Sequence, residues 1–245
     1  MNVALVFFTY EADAPLLSLA VQAAPRLRAQ GHQVTVYVFD EAEHPLATVP
    51  EGVQYTRTTF NRCGNLNGLE CITGMASIFA ELATKHTWIL KADCDTFVNH
   101  LRWLEDVDPA TVPMVGTVHV NKHASGACYA ISAQAAPQMA VMLTTPIWQG
   151  RADRCHCEDR FFWNAALHGI GGNVGHDGAG NTVEPTHLHH DWMACPQHSF
   201  AELATAAAVD FKRCRWNTHP STWQNDREAA IARMQKYVNF VQNLH

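Results

Sequence analysis

The chain has 245 residues, with 17 Lys and Arg against 23 Asp and Glu, for a formal net charge of −6. At 47% hydrophobic and 16% charged residues it falls in the globular range and outside the disordered one, and its length suits a single domain, 1–245, with a sizeable core. The acidic balance excludes a general nucleic-acid or anionic-membrane binder, because either needs a basic footprint.

The first residues, Met1 to Tyr10, have no positively charged start and run straight into Glu11, so they do not read as a signal peptide. No apolar run approaches the length of a membrane span. A cytoplasmic protein is therefore expected, and its eight Cys are expected to be reduced thiols.

Val3 to Tyr10 reads as a buried strand, Ala14 to Gln30 as a helix stopped by Gly31, and Gln33 to Phe39 as a strand that ends at Asp40. Strand, helix, strand predicts a parallel sheet with a right-handed crossover. Residues 41–60 read as loop with one short strand from Val53 to Arg57. A turn-rich loop, Asn61 to Gly68, precedes a helix from Gly68 to Thr84. Trp88 to Ala92 is a short central strand that runs into Asp93-Cys94-Asp95. Strands are predicted over Val112–Val120 and Ala127–Ile131, and helices over Ala133–Leu143 and Phe161–Leu167. His176 to Trp192 reads as loop and strand, and Ala201–Phe211 and Asp226–Leu244 as helices. The fold class is α/β, a mostly parallel central sheet flanked by helices.

Asp93 and Asp95 follow an apolar strand, at the end of the sheet where open α/β proteins bind ligands. If the backbone turns there, both carboxylates can point at one hard cation; Mg²⁺ and Mn²⁺ take such oxygen ligands together with substrate phosphates. Two solvated loop carboxylates would carry the same pattern. As strand-end groups they are expected to be exposed and to contribute little to packing. Glu158 and Asp159 precede a helix, where acidic side chains suit the helix dipole and a carboxylate can also serve as a general base. Late in the chain, His187, His189 and His190 crowd one short segment, and in strand geometry His187 and His189 share a face.

The segment Trp88-Ile89-Leu90-Lys91-Ala92-Asp93-Cys94-Asp95-Thr96-Phe97-Val98-Asn99 resembles the metal-binding segment of GT-A glycosyltransferases, and is most similar to the β-1,3-galactosyltransferase and Fringe-type group. Ser125-Gly126-Ala127-Cys128-Tyr129-Ala130-Ile131-Ser132 resembles that group's stretch on the acceptor side, and Cys157-Glu158-Asp159-Arg160-Phe161-Phe162 its Glu-Asp motif. The three stand in the group's order over roughly residues 1–190, without the group's anchor or stem, which suggests a bacterial or viral enzyme.

The resemblance implies a metal-dependent, inverting transfer of a sugar from a nucleotide-diphosphate donor, expected to be a UDP-sugar, to an acceptor hydroxyl. Asp93 and Asp95 would hold Mn²⁺ or Mg²⁺, His189 or else His187 would complete the shell, Asp159 would be the base, and Glu158 would hold the acceptor or the loop. Residues 1–100 would form the nucleotide-sugar half and 101–245 the acceptor half. Topology and resemblance place Thr9, Tyr10, Glu11 and Asp40, together with Arg62, Asn65 and Asn67, on the donor side. Tyr10 would stack on a pyrimidine. Lys91 either pairs with a carboxylate or reaches a phosphate.

The acceptor is left open among a glycan, a lipid-linked sugar, a protein and a modified nucleobase. Lys212, Arg213, Arg215, Trp216 and Trp223 either bind sugar or polymer or cap the fold. Two other readings compete. One is a zinc-stabilised binding module using Cys155, Cys157 and late His residues; the other is a nucleotidyltransferase, whose Gly-rich basic signature does not follow Tyr10.

Overall fold

The computed structural model describes residues 1–60, 68–118, 124–155, 157–170, 199–211 and 223–244. A six-stranded sheet runs β3-β2-β1-β4-β7-β6, from strands β1 (Asn2–Thr9), β2 (Gln33–Asp40), β3 (Gln54–Arg57), β4 (Trp88–Ala92), β6 (Met114–Val118) and β7 (Ala124–Ser132). The pairings from β3 through β4 are parallel, and β7 is antiparallel to both β4 and β6. Strands β5 (Thr96–Val98) and β8 (Ala208–Asp210) form a separate antiparallel pair.

Strand β1 shows why its sequence is apolar without alternation. Val3, Leu5 and Phe7 face one core and Ala4, Val6 and Phe8 the other, so both faces of the strand are covered. The first core takes in α1 (Ala14–Ala20), α2 (Ala23–Ala29) and Met234, Tyr237, Val238 and Val241 of α9 (Trp223–Gln242). The second takes in α3 (Gly68–Leu82), α5 (Ala135–Met142) and α7 (Glu158–His168).

Three expectations are corrected. The single helix expected over Ala14–Gln30 is two, α1 and α2. Pro25 has no N–H, and its ring crowds the carbonyl four residues back, that of Val21, where the break falls; that carbonyl accepts from Ala24 instead. The helix expected over Ala201–Phe211 is one short turn, α8 (Phe200–Leu203), followed by β8, because Ala208–Asp210 finds a strand partner in β5 and long-range pairing overrides the helical preference of alanine. Helix α7 starts at Glu158 rather than after Asp159, so both carboxylates lie in its first turn. Two short helices, α4 (Arg102–Glu105) and α6 (Pro146–Asp153), were not expected.

Asn99 joins the far ends of the chain. Its side-chain amide donates to the carbonyls of Leu203 (3.1 Å) and Ala206 (3.0 Å), and its Oδ1 accepts from the Tyr237 hydroxyl at 2.7 Å. The C-terminal helix is thereby fixed to the strand that leaves the Asp93–Asp95 turn.

Candidate active site

The chain leaves β1 to place β2 on one flank and β4 on the other, so the carboxyl ends of these strands open a crevice at the point where the strand order reverses. Asp40 ends β2, Thr9 ends β1, and Asp93 follows β4. The backbone turns as the Asp-x-Asp reading requires. The Asp93 carbonyl accepts from Thr96 N–H at 3.0 Å, and the Asp93 N–H donates to Ala127 of β7 at 2.9 Å. Contrary to the expectation of exposure, Asp93 and Asp95 are 7% and 6% exposed. β5 continues directly from the turn and pairs with β8, and the Asp95 carbonyl accepts from Phe211 N–H.

Lys91 organises this end of the sheet. It is fully buried, donates to Asp93 Oδ1 at 2.6 Å and to the Gly126 carbonyl, and forms an ion pair with Glu158 Oε1 at 2.9 Å. Burial alone would lower the ammonium pKa, but Asp93 and Glu158 outweigh that and raise it, so the side chain stays charged. Of the two roles expected for Lys91, the observed one is the carboxylate pair.

Glu158 is held in the opposite balance: desolvation pushes its carboxyl above the ordinary value, Lys91 pulls it back, and Asp159 and Asp93 add to the rise. Tyr129 pairs with Lys91 across β4 and β7. Burial first, then Glu158, Asp159 and Asp93, drives its phenol well above the ordinary range, and the buried hydroxyl has no hydrogen-bond partner among the described residues.

Asp159 meets the same place from α7. Its Oδ1 accepts the Arg160 N–H at 2.7 Å, and its Oδ2 lies 3.0 Å from the position a Cβ on Gly126 would take, with Glu158 Oε1 at 3.5 Å from it. Glycine at 126 therefore lets the β7 backbone approach both carboxylates. The three motifs read from the sequence converge here: Lys91 with Asp93, Gly126 with Tyr129, and Glu158 with Asp159.

At the carboxyl end of β1, Thr9 is buried and Tyr10 half-buried. The Tyr10 hydroxyl accepts from Arg227 of α9 at 2.9 Å, the same guanidinium donates to Asp13 Oδ1 at 3.0 Å, and it lies 5.9 Å from the Tyr10 ring centre. Arg227 also feels the charge of Asp95. Glu11 is exposed, and its N–H anchors to the His44 carbonyl. Asp40 is fully buried; its Oδ2 takes Leu46 N–H and the Tyr55 hydroxyl, while Oδ1 finds no hydrogen-bond partner among the described residues.

Arg227 and Asp13 were missed in the sequence. The signal available was faint: an arginine at the start of a helix whose apolar face otherwise reads as packing. Arg62, Asn65 and Asn67, His187, His189 and His190, and Lys212, Arg213, Arg215 and Trp216 lie outside the described residues, as does the side chain of Trp223.

For a metal ion, Asp93 and Asp95 supply hard oxygen donors and fit a divalent cation that keeps water or phosphate oxygens in its other positions. Among the described residues no three His, Cys, Asp or Glu side chains gather as a metal-holding group. The expected third ligand, His187 or His189, falls outside those residues. Cys155 and Cys157 lie just before α7, with Cys155 Sγ 3.0 Å from the Cys157 carbonyl.

No protein-family model matches the chain, and no curated protein matches it by sequence. Among solved structures, the galactosyltransferase LgtC in complex with donor and acceptor sugar analogues is similar over 96% of this chain and 95% of that one, with a TM-score of 0.52 and 11% identity. The glycosyltransferase GlyE of Streptococcus pneumoniae TIGR4 is similar over 69% of this chain and 44% of that one, with a TM-score of 0.46 and 12% identity. No helix among the described residues is long and apolar enough to cross a membrane. The likeness to LgtC is one of fold: the chain has the mixed α/β architecture of a GT-A glycosyltransferase.

Proposed function

We propose that the protein is a metal-dependent glycosyltransferase that moves a sugar from a UDP-sugar to an acceptor hydroxyl with inversion. The observation that carries this reading is the buried Lys91, which joins the strand-end Asp93 to Glu158 beside Asp159 at the carboxyl ends of the strands. Support also comes from LgtC, whose fold the chain shares and which was captured with donor and acceptor sugar analogues.

In this reading Asp93 and Asp95 hold Mn²⁺ or Mg²⁺, with His189 or His187 as a further ligand. When bound, the ion stabilises negative charge on the departing diphosphate. Thr9, Tyr10 and Asp40 line the nucleotide side, with Glu11 at its rim, and Arg62, Asn65 and Asn67 belong to the loop assigned to it. Arg227 fixes the Tyr10 ring. The buried Oδ1 of Asp40 is an acceptor suited to an N–H or O–H of the nucleoside.

Lys91 orients Asp93, and through Glu158 sets the position of the first turn of α7. Asp159 takes the proton from the acceptor hydroxyl in the space beside Gly126. Inversion would follow if this carboxylate activates the hydroxyl on the face opposite the leaving diphosphate.

The test is a screen of nucleotide sugars for slow hydrolysis with Mn²⁺, which finds the donor before the acceptor is known. UDP-sugar turnover that disappears in Asp95→Asn and in EDTA supports the reading. Turnover that survives in Asp95→Asn removes the metal assignment.

A further inference from the structure

A cavity of about 400 Å³ lies between α6 and α7, on the opposite side of α7 from Gly126. Arg160, Asn164 and His168 recur along one face of α7 and meet Trp148, Arg151 and Arg154 from the α6 side, with Cys155 and Phe161 completing the wall. No carboxylate lines it among the described residues. The Arg151 guanidinium stacks on the Trp148 ring, 4.4 Å from its centre, and Trp148 in turn packs edge-on against Phe161, so one wall of the cavity is held in place by ring contacts.

Three exposed guanidiniums line one cavity, so an anion that enters it meets concentrated positive charge. Their planar forks match phosphate oxygens, and a single carboxylate would leave most of that charge uncompensated. The volume exceeds that of a bare phosphate and suits a phosphate joined to a sugar-sized group. We propose that this cavity is a second binding site, separate from the strand-end carboxylates, that takes a phosphorylated ligand of about sugar size.

Its position gives the site a route to the chemistry. Asp159 accepts the backbone N–H of Arg160, so consecutive residues of α7 serve the Gly126 space and the cavity. Cys155 offers a built-in reporter. A hydrogen bond from the Cys157 thiol, helped by the Arg160 charge, brings the Cys155 thiol down to about 6, while Cys157 moves the other way. The Cys157 carbonyl contact of Cys155 exists only in the neutral thiol and is given up on ionisation. Cys155 should therefore be the faster of the two to react with iodoacetamide at neutral pH.

The experiment is calorimetry on the full chain in EDTA at low salt, with inorganic pyrophosphate and with a hexose 1-phosphate as probes. EDTA keeps the strand-end site from binding them through a metal. Saturable binding is expected, weakened by about tenfold or more in Arg154→Gln and in Arg160→Gln, retained in Asp93→Asn, and protecting Cys155 from iodoacetamide. The arginines are exposed, so these variants are expected to keep the wild-type circular dichroism.

Two sources of the phosphate separate in transfer assays. A raised acceptor KM in Arg160→Gln at constant kcat assigns it to the acceptor. A pyrophosphate effect on rate that Arg160→Gln abolishes assigns it to a free ligand. No saturable binding, binding unchanged in both arginine variants, or binding lost in Asp93→Asn would each overturn the proposal. None of these outcomes decides whether the strand-end site transfers a sugar.

Discussion

The ammonium of Lys91 lies 2.9 Å from a Glu158 carboxylate oxygen and so ties the central strand β4 to the first turn of α7. Both groups are buried, and the same ammonium holds Asp93 at 2.6 Å. Replacing it by an apolar side chain of similar length leaves two buried carboxylates without their cation. Lys91→Met is expected to lose about 3–5 kcal/mol of stability, read as the urea midpoint.

The pH dependence of that loss follows from Glu158. Its folded pKa is already raised above the ordinary 4.5 by burial and is restrained by Lys91. A raised carboxyl contributes its full share of stability below its unfolded pKa and loses it as the pH rises through the folded one. Without Lys91 the folded value climbs further. The deficit of Lys91→Met should therefore be larger at pH 8 than at pH 5; an equal deficit at both would show that Glu158 does not depend on Lys91.

Gly126 makes a finer test of the same junction. A methyl group there would stand 3.0 Å from Asp159 Oδ2 and 3.4 Å from its Cγ, close enough to move the carboxylate by a few tenths of an ångström. Misplacement of a catalytic group by about 1 Å costs on the order of 10²-fold, so Gly126→Ala should slow transfer by about tenfold. Donor affinity in Mn²⁺ should hold. Unchanged kcat would place Asp159 away from the reacting atoms.

Asn99 lies on the same segment as the two aspartates but has a structural part. Asn99→Ala leaves two carbonyls and the Tyr237 hydroxyl without their partner and should cost about 2–4 kcal/mol. Tyr237→Phe should cost less, since it orphans only one acceptor. At a temperature where both variants are folded, transfer should be close to wild type. A selective loss of kcat in Asn99→Ala would instead bring that residue into the site.

The front of the fold was legible because local pattern and long-range partner agree there. The apolar run of β1, the alternation of β2 and the strand that ends at Asp93 each announce themselves, and their parallel order follows from strand, helix, strand. The Ala201–Phe211 stretch failed for the converse reason. Nothing local distinguishes Ala208–Asp210 from a helix; only its pairing with Thr96–Val98 makes it a strand. The site divides in the same way. Asp93, Asp95, Glu158 and Asp159 carry their spacing in the sequence, but the burial of all four does not show there. Nor does the contact of Arg227 with Tyr10, whose partners stand 217 residues apart.

The most direct measurement pairs donor affinity by calorimetry with transfer rate for Asp159→Asn, both in Mn²⁺. The substitution keeps the size of the side chain and removes its ability to accept a proton. If Asp159 is the base, the rate falls by about 10²–10⁴-fold while donor affinity stays at the wild-type value, and Glu158→Gln costs less. If Asp159→Asn transfers at the wild-type rate, or loses donor affinity as much as rate, the acceptor-side assignment of this carboxylate is contradicted.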